Sequence, residues 1–111
     1  MKVSINQALA RLPAGRTDVY PAGAPFITMM SGGTMSVEVF APKGADLQQP
    51  HAQDELYFIH SGTGQIVINA HRFEATVGDA FFVAAGVAHK FENFSPDFVT
   101  WVVFYGPQGG E

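Results

Sequence analysis

Between Phe26 and Tyr105 the chain is divided into eight short runs rich in β-branched and aromatic residues: FITMM, MSVEVF, ELYFIH, QIVIN, HRFEA, AFFV, HKFENF and FVTWVVFY. Turn-forming residues separate them, among them SGG at 31–33, SGTG at 61–64, NAH at 69–71 and Gly78-Asp79. Many short strands at close, regular spacing predict an all-β sandwich or barrel. FVTWVVFY is nearly continuous apolar, which predicts a strand covered on both faces, either by the sandwich core or by a second subunit.

Ahead of the strands, Ile5, Ala8, Leu9 and Leu12 recur at helical spacing, Ser4 and Gln7 have the spacing of a capping box, and Pro13 can end the element. One short N-terminal helix is expected there. The Pro-, Gly- and Ala-rich stretch from Pro13 to Pro25 shows no period and reads as an ordered connecting loop, too short to separate two domains. The 111 residues therefore read as one domain: helix and loop over 1–25, barrel over 26–105, and a flexible tail, GPQGGE, over 106–111.

Hydrophobic residues make up 47% of the chain, ten of them Phe, which is enough to bury one sizeable core and leave apolar surface for a partner. A net charge of −4 without any Lys/Arg cluster argues against a nucleic-acid partner. No run approaches the roughly 18 apolar residues of a membrane span. Polar Ser4, Asn6 and Gln7 stand where a secretion signal needs an apolar stretch, so a cytoplasmic protein without membrane contact is expected. With zero cysteines, any metal must be held by nitrogen and oxygen ligands.

That requirement directs attention to His51, Glu55 and His89, with Gln49 beside them. Pro50 biases Gln49 toward extended backbone, so Gln49 and His51 are expected on one face. Glu55 opens ELYFIH, in which Glu55, Tyr57 and Ile59 share one face and Leu56, Phe58 and His60 the other. A turn over Ala52–Asp54, with Asp54 as turn former, would bring an amide oxygen, an imidazole and a carboxylate together, and His89 lies in a later strand signal. Two imidazoles and a carboxylate leave coordination positions open, the pattern of a reactive metal rather than a closed structural site. His60, on the opposite face, and His71, beside a hairpin turn, read as surface or packing residues. Tyr57, Trp101 and Tyr105 are core or pocket aromatics, with Tyr57 the best pocket candidate because it shares the face of Glu55.

On these residues the chain resembles the cupin family. The family's second motif, G(X)5PXG(X)2H(X)3N, is matched by Gly78, Gly86, His89 and Asn93, with Ala84 in place of the proline. Its first motif, G(X)5HXH(X)3,4E(X)6G, is matched by His51, Glu55 and Gly62; Gln49 stands where the first histidine is expected, and Gly44 is one residue too close. Phosphomannose isomerases, also cupin-like, are similar in using a Gln-x-His pair at their zinc. The resemblance implies a double-stranded β-helix, the jelly-roll barrel. It also implies one divalent ion (Fe, Mn, Ni or Zn) on Gln49, His51, Glu55 and His89.

The function expected is a metal-dependent enzyme acting on a small oxygen-rich molecule such as a keto acid, a sugar or an enediol. Glu55 would serve as ligand or general base, with Tyr57 beside it. Iron would permit dioxygenase chemistry, whereas manganese, nickel or zinc would suit isomerase, decarboxylase or lyase chemistry. The rival reading is a non-catalytic cupin that binds or senses a small ligand. Small cupins usually pair, so a homodimer burying a sheet face is expected in either case.

Overall fold

The structure, a computed structural model, describes residues 1–111. It opens on helix α1 (Ile5–Leu9), whose capping box is complete: Gln7 N–H donates to Ser4 Oγ, and Ser4 N–H donates to Gln7 Oε1. Eight strands follow: β1 (Phe26–Gly32), β2 (Met35–Phe40), β3 (Asp54–Ser61), β4 (Thr63–Ile68), β5 (His71–Thr76), β6 (Ala80–Val83), β7 (His89–Glu92) and β8 (Val99–Tyr105). Each arises from one of the eight runs read in the sequence.

All strand pairs are antiparallel. One sheet has the order β1-β2-β8-β3-β6 and the other β5-β4-β7, so neighbours such as β2 and β8 come from distant parts of the sequence. This is the jelly-roll barrel. At the reversal from β3 to β4, Gly62 has φ 78°, and a Cβ there would lie 2.7 Å from the Phe98 Cα. Both the backbone angle and the space thus require glycine.

Strand alternation sorts the side chains into two clusters. Phe40, Tyr57, Ile59, Ile66, Val83, Phe91, Phe98, Val102 and Phe104 fill the space between the sheets. Burying each large side chain contributes about 1.5–3 kcal/mol, so this cluster carries most of the stability. The second cluster lies outside the larger sheet, where Ala8 of α1 packs on Val39, Ala41 and Val99, with Ile5, Leu12 and Trp101 around them. The apolar β8 is therefore covered inside by the barrel core and, at its N-terminal end, outside by α1. Val103 and Tyr105, further along, are half-buried.

Residues 106–111, expected as a flexible tail, are hydrogen-bonded to the rest of the chain. Gly109 N–H donates to the Ala52 carbonyl at 2.7 Å, Gly106 N–H to Thr34 Oγ1, and Glu111 N–H to Asp54 Oδ2. The glycines that suggested mobility instead adopt positive φ and fold the segment back on β3.

Candidate metal centre

Three elements converge at the open end of the barrel. β3 contributes Glu55 and Tyr57 from the larger sheet, and β7 contributes His89 from the smaller one. The irregular segment before β3 contributes His51, whose carbonyl accepts from Gly86 N–H at 2.7 Å; Gly86, at φ 77°, makes the turn that leads into β7. The ligating atoms of His51, Glu55 and His89 all lie within 4.8 Å of one another.

Glu55 is 1% exposed and stands at the centre. Its Oε1 is 3.1 Å from His51 Nδ1 and 2.8 Å from His89 Nε2. Burial by itself would raise this carboxyl, but hydrogen bonds from the two imidazoles outweigh burial and hold it below the usual carboxylate range. Its other oxygen, Oε2, is buried without a hydrogen-bond partner.

His89 is oriented from behind. Its Nδ1–H donates to the Val87 carbonyl at 3.0 Å, which leaves Nε2 as the nitrogen facing Glu55. A neutral imidazole held this way aims a lone pair at a carboxylate oxygen, which is repulsive unless a proton or a cation lies between them. Burial disfavours the imidazolium, yet the Glu55 carboxylate and the Val87 carbonyl overcome it and raise the pKa of His89. Two imidazoles, a carboxylate and an orphaned buried oxygen fit a divalent cation, which would take the place of that proton.

Tyr57 reaches the same nitrogen. Its hydroxyl lies 3.0 Å from His89 Nε2 and donates to Gln48 Oε1 at 3.0 Å, while the ring, 1% exposed, packs edge-on against Phe91. Burial and the charges of Glu55 and Asp46 raise its phenol well above the ordinary value, so it remains a neutral donor. Buried Asp46 in turn fixes Gln48, accepting from its backbone N–H and its side-chain Nε2, and also accepts from Phe91 N–H of β7 at 2.8 Å. This carboxylate ties the segment before β3 to the smaller sheet.

His51, Glu55 and His89 lie together with the Tyr57 hydroxyl beside them. Gln49 is exposed, and its neighbour Gln48 faces the site. Two-residue alternation holds only for extended, paired backbone, and residues 47–51 belong to no strand. Asp54 is also no simple turn former: it is the buried first residue of β3, and its Oδ1 accepts from Ala85 N–H at 2.8 Å. His60 and His71 are exposed, as expected. Trp101 packs in the cluster under α1.

Sequence reasoning missed Glu38 and Asp46. Glu38 lines a cavity of about 320 Å³ beside the site, together with Phe26, Phe40, Gln48, His51 and Phe104. Burial, and secondarily the charge of Glu55, raise its carboxyl to about 7 despite the opposing influence of His51. Glu38 shares a strand face with Phe40, but Val37 and Val39 make the opposite face equally apolar, so the sequence of β2 carries no signal that Glu38 points inward.

Comparison with known proteins agrees with this architecture. A family model described as a cupin domain matches residues 36–105. A protein of Streptomyces coelicolor named "Uncharacterized protein SCO3923" is 38% identical over 85 residues, covering 75% of this chain and 81% of that one. A mannose-1-phosphate guanylyltransferase of Klebsiella pneumoniae is 32% identical over 85 residues, 73% of this chain but only 16% of the enzyme. Among solved structures, a cupin-2 domain containing protein of Shewanella frigidimarina superposes with a TM-score of 0.67 at 15% identity, covering 94% of each chain. The EutQ protein of Clostridium difficile superposes with a TM-score of 0.66 at 19% identity, covering 85% of this chain and 76% of its own. The fold, the paired motifs and the family match agree: the chain belongs to the cupin domain family.

Proposed function

We propose that this cupin is a metal-dependent enzyme in which His51, Glu55 and His89 hold one divalent ion and a small oxygen-rich molecule completes the coordination. The observation that carries the reading is His89 Nε2 held 2.8 Å from Glu55 Oε1 while Nδ1 is committed to Val87. Exposed Gln49 is left out of the ligand set. A bound ion would supply Lewis-acid polarisation of a substrate carbonyl or hydroxyl. Within the chain, Glu55 sets the charge of the site, and half-buried His51 forms the boundary between site and cavity. Tyr57 is a positioning residue that holds His89 and Gln48 rather than touching substrate.

Elemental analysis of purified protein tests the metal, with one equivalent expected in the wild type and far less in His89→Ala. Oxygen uptake, and turnover of a panel of sugars and keto acids, then separate the chemistries. Metal retained with turnover of nothing in that panel would favour the binding or sensing role over the enzyme.

A homodimer belongs to the same reading. No helix is long and apolar enough to cross a membrane, and the outer face of the larger sheet exposes Phe58 and Phe82 at 42% and 52%. Phe82 pairs with Leu56 in register, so these side chains form one apolar surface suited to a second copy. Light scattering should give twice the chain mass, and a monomer at micromolar concentration would refute pairing.

A further inference from the structure

Most polar side chains lining the cavity are already committed to partners within the chain. Gln48 donates to Asp46 and accepts from Tyr57, and Gln53 Nε2 donates to the Thr34 and Gly106 carbonyls. His51 is paired with Glu55. Glu38 alone among them has no side-chain hydrogen bond within the chain, although it stands on the inner face of β2, in register with Val102 of β8. The remaining wall is apolar, Phe26, Phe40 and Phe104 with Ala52, and the lining contains neither Lys nor Arg.

A carboxyl on the inside of a barrel strand, walled by phenyl rings and bonded to nothing else in the chain, opens on the cavity and is free to take a hydroxyl of a molecule held there. Phosphate esters are generally held by Arg, Lys or clustered backbone N–H groups. Here the ion would already be partly neutralised by Glu55 and engaged with one end of the molecule, so a phosphate at the other end would meet the Glu38 carboxyl with no Lys or Arg to hold it.

We propose that the cavity selects a small uncharged molecule, one of whose hydroxyls hydrogen-bonds to the Glu38 carboxyl, and that it discriminates against phosphate esters of the same skeleton. The inference rests on the metal reading above, with the ion engaging one end of the molecule and Glu38 the other. It narrows the substrate class to neutral sugars, polyols and hydroxy ketones. Glu38 is thereby a specificity-determining residue.

The test uses zinc-loaded wild type, Glu38→Ala and Glu38→Gln, with zinc content measured in every sample. Calorimetric titrations compare dihydroxyacetone and D-mannose with their phosphates. Wild type should bind at least one uncharged parent about tenfold or more tightly than its phosphate. Glu38→Ala should lose about tenfold for that parent without weakening the phosphate, and Glu38→Gln, which keeps an acceptor oxygen, should fall between them. Phosphates bound as tightly as parents, no parent bound by zinc-loaded wild type, or a Glu38→Ala protein indifferent to the change overturns the inference alone. A wild type that holds no zinc overturns the metal reading and this inference with it.

Discussion

The two ends of the barrel interior share strands β3 and β7, with the β7–β8 connection closing one of them, but do different work. At the closed end Phe91, Phe94 and Phe98 pack with ring centroids 5.1 and 5.7 Å apart, against Ile59 and Ile66. At the open end, four residues before Ile59 on β3 and two before Phe91 on β7, Glu55 and His89 replace apolar side chains and leave a buried oxygen unpaired. Alternation alone carries each strand from one environment to the other: Ile59 lies at one end and Glu55 at the other, on the same face. The closed end supplies the stability that lets the open end hold polar groups in a costly arrangement.

The largest effect expected from this contrast is on stability at the closed end. Phe91→Ala should cost about 3–5 kcal/mol in denaturant unfolding, because a 1% exposed ring is replaced by a cavity. A cost below about 1 kcal/mol would mean that the aromatic cluster is not the foundation described.

His89→Ala should do the reverse, weakening metal affinity at least about a hundredfold in a competitive chelator titration. At pH 8, where the contribution of His89 to the metal-free fold is lost, its metal-free form should unfold close to the wild-type midpoint. Collapse of the fold would make the ion structural and erase the distinction between the two ends.

Asp46 joins the regions, since it accepts from Phe91 N–H of β7 and fixes Gln48 near the site. Asp46→Ala should therefore cost about 1–3 kcal/mol through the stranded Phe91 N–H, and should also weaken metal affinity. A purely local effect on one property would show that the ends are independent.

The smallest effect is in pH dependence without metal. The raised pKa of His89 means that its contribution is present below its ordinary value of 6.5 and is lost as pH rises through the folded value. Glu38, raised to about 7, acts in the same direction, because its neutral form is favoured in the fold and stability declines from about pH 4.5 to 7. Lowered Glu55 contributes above its ordinary 4.5 and loses that contribution as pH falls through its folded value. The metal-free Tm should therefore peak between about pH 4.5 and 6.5 and fall by about 4–8 °C toward pH 8. Excess zinc should remove the His89 share of that fall and leave the Glu38 share, since the cation replaces the proton between His89 and Glu55. An unchanged slope with zinc would place the ion elsewhere.

The strands were legible in the sequence because turn residues mark nearly every reversal, and α1 because Ser4 and Gln7 form both bonds of its capping box. His51, Glu55 and His89 were legible because strand alternation and motif spacing point to the same residues. The exposure of Gln49 was not legible, because strand alternation does not extend into residues 47–51, which pair with no strand. Glu38 was hidden for a different reason: in MSVEVF both faces carry apolar residues, Val37 and Val39 on one and Phe40 on the other, so nothing local says which faces inward. Only the long-range pairing of β2 with β8 places Glu38 inside.

The central claim is that His51, Glu55 and His89 share one cation. Anomalous scattering from crystals loaded with zinc tests it most directly. One peak is predicted, about 2.0–2.2 Å from a nitrogen of each histidine and from a Glu55 oxygen. A peak bound elsewhere, or none at the site under saturating zinc, would contradict it.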